Sequence, residues 1–552
     1  MNAPARTPVA IVGGGPVGLL LALFLDRHGV PSVVFDLAES TSDQPRGSTH
    51  GARSMEHYRR LGLADEVRRL GLPWDYSTDI AFYTHYNGFR LARNRRPAVR
   101  DLMREVASGP RTAQVPEPMH RANQMYVEKL LYRRARTRTR IDLRFGWRVT
   151  GLAADADGVD VRAENAQGQA RVWRAGHVAG CDGARGVVRP HLGSRYAGAG
   201  GVEQEILGGR TVAAHLRIPT LYRDFLVDGG AWSHWAVNTD LVLNLIALNG
   251  KDEFFLLTSS ADPDSAPDGE LVSLVRRAAG APVPVTVLGR RPWTSGMALV
   301  ADDFGTDRVF LAGDAAHLFT PNGGFGMNTG LDDAANLAWK LAAAAQGWAG
   351  PGLLASYHRE RRPIAIRNTG AARELNLGLA NVARPRCVEQ DTDEGRAERR
   401  RLGRLLADYG DRTLDTLGIQ LGARYDGSPI VDGTDDPPAD SFDSYSPSSV
   451  PGGRAPHLWL DDTRVTGSSL FDHFGVGFTL LRLGPKAPPA VGLRTEAARR
   501  NIPLKVLDLV DPLARDLYER DLVLIRPDQH VAWRGNHVDR PDRLLATVTG
   551  AK

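Results

Sequence analysis

The chain opens with an apolar run, Val9-Ala10-Ile11-Val12, then a glycine-rich break, then a longer apolar run from Leu19 to Leu25. The first run suits a buried parallel strand and the second a buried helix. Ser32-Val33-Val34-Phe35 reads as another buried strand. Thr239 to Leu248 and Asp252 to Thr258 have the β-branched and aromatic content of strands, and Leu331 to Leu341 reads as a helix. From 351 to 425 the pattern is helical, interrupted by Pro363 and Pro385. Residues 426–450, rich in Asp, Ser and Pro, read as a linker, and the last hundred residues as a separate unit.

The break between the first strand and helix is Gly13-Gly14-Gly15-Pro16-Val17-Gly18. In a strand–turn–helix setting this spacing has mechanical meaning: Gly13 permits the turn, Gly15 lets backbone approach a pyrophosphate, and Gly18 lets helix and strand pack closely. The helix N-terminus adds N–H groups and a partial positive charge. The second strand ends in Asp36, whose carboxylate suits ribose hydroxyls and would repel a 2′-phosphate. The expected ligand here is the ADP half of FAD or NAD.

Two further motifs follow, Cys181-Asp182-Gly183-Ala184-Arg185 and Gly313-Asp314-Ala315-Ala316-His317. The three in this order resemble the para-hydroxybenzoate hydroxylase family of single-component FAD aromatic hydroxylases. The resemblance assigns Asp314 to the flavin ribityl or ribose hydroxyls, and Asp182 and Gly183 to FAD and nicotinamide-cofactor binding. It also assigns Arg46, in Pro45-Arg46-Gly47, together with Gln124 and Val149, to FAD contact. It implies an α/β (α+β) fold: a Rossmann-like FAD domain (1–75, 116–190, 291–350) with an inserted antiparallel-sheet substrate domain (76–115, 191–290). Residues 351–425 form the helical segment, 426–450 the linker, and 451–552 resemble the thioredoxin-like C-terminal domain of the phenol hydroxylase branch. That branch includes chlorophenol and aromatic polyketide hydroxylases. No cysteine follows Cys387, so this domain has no dithiol chemistry.

The segment Phe319 to Asn328 carries the expected chemistry. Pro321 heads it, Gly324 and Gly326 let backbone lie against a ring, and the N–H groups of Gly326, Met327 and Asn328 would stabilise an anionic reduced flavin as an oxyanion hole does. The implied reaction is NAD(P)H-driven hydroxylation of a phenolic or polycyclic aromatic substrate with O2, through a flavin C4a-hydroperoxide. The family position for an active-site acid or histidine is Ser48 here, which is no base near neutral pH. By chemistry alone His50 and His234 are the candidate bases, beside Pro321 as a catalytic residue. Ser48, Trp232, His234 and Trp235 are the candidate substrate contacts.

Composition adds less. At 552 residues and 42% hydrophobic content the chain should make two or three domains, and a net charge of +5 from dispersed arginines points to no nucleic-acid partner. Two cysteines are too few for a disulfide framework, no metal site is implied, and no apolar run is long enough for a membrane span. A cytoplasmic protein is expected, with a homodimer left open. A disulfide reductase would need a redox cysteine pair, and a flavin halogenase a Trp-x-Trp-x-x-Pro segment; the chain has neither. A Baeyer–Villiger or epoxidising enzyme on the same fold, or a non-catalytic binding protein, are the alternatives.

Overall fold

The computed structural model describes residues 4–200, 210–226, 229–262, 264–294, 297–379, 382–433, 435–465 and 467–551. Its first sheet runs Ile141–Phe145, Ser32–Asp36, Ala5–Val12, Ala170–Gly180 and Val309–Leu311, all parallel. Gly158–Asn165 and Trp147–Asp155 extend it by antiparallel pairing on the outer half of Ala170–Gly180. The Pro16–Arg27 and Phe325–Ala345 helices pack on this sheet, burying Leu19 to Leu25 and Leu331 to Leu341 in one core. Three parallel strands, ending at Val12, Gly180 and Leu311, lie side by side, so the glycine-rich turn and the two aspartate–glycine motifs leave the sheet at one edge. In parallel α/β sheets this carboxyl edge is where ligands bind.

A second sheet of seven strands has the order Thr286–Thr294, Arg210–Arg217, Glu253–Thr258, Val242–Ala247, Ser233–Val237, Ile80–Tyr83, Arg90–Asn94. All neighbours are antiparallel except Ser233–Val237 against Ile80–Tyr83. One face is covered by the Asp268–Ala279 helix. The other packs on Met125, Leu402 and Leu406, toward the first lobe and the Asp393–Leu414 helix. The third unit is a four-stranded mixed sheet ordered Leu504–Leu509, Phe478–Leu483, Leu522–Ile525, Val531–Gly535.

One expectation needs correction. Pro363 does not interrupt its helix, which runs unbroken from Ser356 to Leu377. The turn that precedes the proline is held by Glu360 and Arg361, whose side chains are wholly buried in ion pairs. The Asp-, Ser- and Pro-rich stretch 426–450 has no helix or strand among its described residues, but single side chains near both of its ends are anchored. Ile430 is fully buried beside Trp339 and Trp348, Ser428 donates to Glu360 (2.6 Å), and Ser449 donates to the Tyr518 carbonyl (2.7 Å). Composition reported the lack of repeating structure there but not the packing of single side chains.

A chain of buried charges joins the lobes. Arg361 pairs with Asp332 (2.5 Å) and Asp333 (2.7 Å) on the long helix, and Asp333 also meets His317 (2.6 Å). Lys340, two turns on, pairs with Glu360 (2.6 Å), which meets Arg526 of the C-terminal unit (2.6 Å); Arg526 meets Asp528 (2.6 Å). Glu56 sits between Arg53 (2.8 Å) and Arg454. Burial opposes ionisation of Glu56 and Glu360, yet the adjacent Arg454 and Arg53, and Arg526 and Lys340, outweigh it and hold both down at about 2. Burial lowers Lys340 to about 8 against the pull of Glu360.

Candidate active site

At the carboxyl edge, Gly13 has φ +108°, and a Cβ there would collide with the Cys181 carbonyl. A Cβ on Gly18 would strike the Gly13 carbonyl, so the close helix–strand approach is real. A Cβ on Gly15 would meet nothing within 4 Å: its backbone borders open space at the N-cap of the Pro16–Arg27 helix. Pro16 and Val17 form the first turn, and Val17 packs on Gly313 and Gly330, tying the first motif to the third. Asp36 accepts from Gly14 N (2.7 Å) and Ala38 N (2.8 Å), which fixes its carboxylate at the mouth of the turn.

Asp314 lies exposed on a single 3-10 turn, and its carboxylate has no hydrogen-bond partner among the described residues; only its carbonyl is used, by the Tyr196 hydroxyl (2.5 Å). Such an acceptor fits the hydroxyls of a flavin ribityl chain. Asp182 differs. One of its oxygens accepts from Val187 N (2.6 Å) and Val188 N (3.0 Å), the other is buried without a partner, and burial raises its pKa. The Asp182 side chain closes a local turn, and Gly183 supplies the positive φ of +76° that the turn needs.

The helix after the flavin loop starts at Phe325, not Leu331. Gly323 and Gly324 both have positive φ (+76° and +67°), and a Cβ on Gly324 would stand 2.9 Å from that of Thr49. Pro321 caps the preceding 3-10 turn, its carbonyl accepting from Gly324 N (3.3 Å). The earlier start leaves the N–H groups of Phe325, Gly326 and Met327 without intrahelical acceptors, whereas helix geometry commits that of Asn328 to the Gly324 carbonyl. Asn328 acts through its side chain, which donates to the Thr49 carbonyl (2.9 Å) and accepts from Gly51 N (2.8 Å) and Ser54 (2.6 Å). These bonds hold the 49–54 segment against the loop.

The Arg46–Ser48 loop is clamped by Asn123, which accepts from Arg46 N (3.2 Å) and donates to the Arg46 carbonyl (2.9 Å) and Ser48 Oγ (3.1 Å). Gln124 N donates to the Gly47 carbonyl (2.8 Å). The Arg46 side chain is exposed, Ser48 is buried, and Val149 is buried in the first core beside a bulge in its strand.

Neither candidate base stands free. His50 is wholly buried, with Nδ1 on the Tyr58 hydroxyl (3.2 Å) and Nε2 on the Ala122 carbonyl (3.0 Å), and burial pushes its pKa down to about 3. His234 is also buried: Nε2 accepts from Ala231 N (2.9 Å), Nδ1 faces the Leu245 carbonyl (3.2 Å), and burial lowers it to about 4. Strand alternation also separates the expected substrate contacts. His234 packs with Tyr222 and Phe254 on the helix-covered face, while Trp235 lies on the opposite face against Phe82. Of this cluster, Trp235 faces the first lobe and Trp232, just before the strand, packs at the boundary of both clusters.

A residue the sequence did not single out completes the site. Arg121, 4% exposed, stacks its guanidinium 3.5 Å from the Trp232 ring and donates through Nη1 to Thr49 Oγ1, the side chain that abuts Gly324. Only an isolated dipeptide strand, His120–Arg121 against Thr49–His50, carries it there; no apolar period marks such an element.

The fold and this edge define a class: flavoproteins in which a dinucleotide lobe presents a helix N-terminus and a glycine loop beneath an antiparallel sheet. The chain matches the FAD binding domain family over residues 6–372 and the aromatic-ring hydroxylase C-terminal family over 448–551. It is 32% identical to the FAD-dependent monooxygenase apdD of Emericella nidulans, covering 98% of this chain and 90% of that one. It is 28% identical to a phenol 2-monooxygenase of a Pseudomonas species, covering 98% and 92%. The rebeccamycin biosynthetic enzyme RebC, solved with reduced flavin, superposes with a TM-score of 0.88 at 34% identity, each chain covered in full. The chain therefore belongs to the FAD-dependent aromatic-ring hydroxylases and is an FAD monooxygenase, with NAD(P)H the reductant usual in that family. Among the described residues no helix is long and apolar enough to cross a membrane.

Proposed function

We propose that this monooxygenase inserts one atom of O2 into a phenolic or polycyclic aromatic ring held between the Trp235 face of the seven-stranded sheet and the Pro321–Met327 loop. The observation that carries this reading is the loop itself: two consecutive positive-φ glycines packed on Thr49, followed by a helix whose first N–H groups have no intrahelical acceptor. Bound FAD supplies the redox chemistry, taking a hydride from NAD(P)H and activating O2 so that one oxygen reaches the ring and the other leaves as water.

The chain's own residues do the rest. Gly15 and the Pro16 helix end receive the pyrophosphate, Asp36 the adenosine ribose, and Asp314 the ribityl hydroxyls. The N–H groups of Gly326 and Met327, with the positive end of a 21-residue helix behind them, stabilise negative charge on the reduced ring system. The buried, apolar Trp235 face excludes water. With His50 and His234 neutral and engaged, activation of the ring relies on position rather than on a histidine base.

The test is turnover under ¹⁸O2 with a panel of phenols and polycyclic quinones. One labelled oxygen on the product ring supports hydroxylation; label in a lactone ring assigns the Baeyer–Villiger alternative, and a product oxygen that carries no label, having come from water, refutes both.

A further inference from the structure

Cross-strand partners in the seven-stranded sheet share a face, and one row of them runs Phe82, Trp235, Asn244, Leu257, Ala213, Arg291. The row lies on the face turned to the first lobe, where Phe82, Trp235, Ala213 and Leu257 share a cluster with Met125, while Leu243 and Leu245, on either side of Asn244, enter the helix-covered core. Its Arg291 end adjoins the cofactor edge: burial and the nearby Arg46 lower Arg291 to about 10, and Asp314 pulls the other way. Short of that end, Asn244 is the row's only polar side chain apart from the Trp235 indole N–H. An amide in the middle of an apolar face needs partners.

Asn244, 4% exposed, is engaged on one side only. Ser233 Oγ donates to its Oδ1 (2.9 Å), and its Nδ2 hydrogens have no acceptor among the described residues. Unlike the Trp232 indole N–H, which is buried with no acceptor, this nitrogen keeps an open surface. The Trp235 indole N–H, directly across the strand pair, is in the same state: it too has no acceptor among the described residues and is not closed off. Side chains directly opposite stand about 5 Å apart at Cβ, so the two donors can meet one ligand together. What they meet must be neutral. Neither donor is charged, and the row's only cation, Arg291, is three strand spacings away, about 14 Å. An ionised oxygen there would be buried without a countercharge, whereas a carbonyl oxygen needs only donors.

We infer that Asn244 and Trp235 together bind a ring carbonyl of the substrate, so that the enzyme selects an aromatic ketone or quinone, with Asn244 the specificity residue. The inference rests on the ring-hydroxylation reading but is tested separately from it, by binding without turnover. At about pH 6, where the phenols stay un-ionised, the FAD-loaded enzyme is titrated with 5-hydroxy-1-tetralone, 2-hydroxy-9-fluorenone and 2-hydroxyanthraquinone. Each is paired with its analogue lacking the carbonyl, 5-hydroxytetralin, 2-hydroxyfluorene and 2-hydroxyanthracene, and the perturbation of flavin absorbance is followed. At least one ketone should bind about five- to thirtyfold tighter than its partner, the range for one or two neutral hydrogen bonds. Asn244→Leu, apolar and of similar size, should remove most of that ratio while leaving the partner's affinity within about twofold, and Trp235→Phe, which keeps a ring but loses the N–H, should remove part of it. The carbonyl stretch of the bound ketone, read by infrared difference spectroscopy, should lie at lower frequency in the unaltered enzyme and move back in Asn244→Leu.

Equal affinity within all three pairs in the unaltered enzyme overturns the inference whether or not the variants fold, and leaves ordered water as the acceptor. So does an unshifted carbonyl stretch, and so does failure of all three ketones to bind at millimolar concentration. A ketone preference that persists undiminished in Asn244→Leu places the carbonyl elsewhere and is equally fatal. If the ketones bind as expected but ¹⁸O2 labels no ring, the hydroxylation reading fails and the donor pair stands; if rings are labelled without ketone preference, the reverse holds.

Discussion

A carboxylate with no partner at the end of a parallel strand gains most when hydroxyl donors arrive, and Asp314 is in that position. Asp314→Ala should weaken FAD binding roughly ten- to hundredfold, read as loss of bound flavin fluorescence quenching, because hydrogen bonds to an ionised acceptor are the stronger kind. Unchanged affinity in a folded variant removes Asp314 from the flavin contacts. Gly324 makes a steric demand instead: Gly324→Val forces a branched side chain into positive φ and against Thr49, so hydroxylation should fall more than the melting temperature. Full coupled activity in that variant discards the loop assignment. The glycine positions could be read in the sequence because strand, turn and helix flank them and sterics leave few substitutes. The histidines could not, since a histidine's type says nothing of whether its ring nitrogens are already engaged, and His50 and His234 are. Arg121 was invisible for a related reason: a two-residue strand with no apolar period brings it against Trp232 and Thr49.

Element by element, buried strands and helices with long apolar runs were legible, and their ends were less so. The flavin-side helix begins six residues before its apolar pattern because glycines at its start line a surface rather than a core. Charge pairing between helices was not legible at all. Asp332, Asp333, Lys340, Glu360 and Arg361 are all buried, and their pairs close only in three dimensions. Arg361→Met removes the guanidinium that Asp332 and Asp333 share, and should destabilise the protein by about 3–5 kcal/mol. Adding Asp333→Asn should recover part of that loss in chemical denaturation, since one stranded charge is removed. A single variant no less stable than the parent would mean that water reaches the junction.

For the whole molecule the same charges set its response to acid. His50, His57 and His234 stay neutral when folded down to about 3, about 4 and about 4, while the unfolded chain protonates its histidines near 6.5. Glu56 and Glu360 hold their charge to about 2 against an ordinary 4.5. In both sets the unfolded state binds more protons, so stability falls as pH drops. The histidine contribution is lost from pH 6.5 downward, and the carboxylate contribution, complete above about 4.5, drains away toward 2. The urea midpoint should therefore decline from pH 7 downward, fastest at about pH 4 to 5 where both sets titrate together; a flat midpoint across that range would contradict the burial of these groups.

The lobe-joining charges also bear on synthesis. A ribosome completes the Phe325–Ala345 helix long before it adds Arg526 and Asp528, the groups that answer Glu360 and Trp339. Until then Glu360, with Lys340 as its one cationic partner and Asn336 and Ser428 as neutral donors, cannot be sealed from water without penalty, and the helix that backs the flavin loop has no settled seat. Birth of the holoenzyme is thus gated by the C-terminal unit: nascent chains arrested before Arg526 should take up FAD poorly, and chains released with that unit in place should load it promptly.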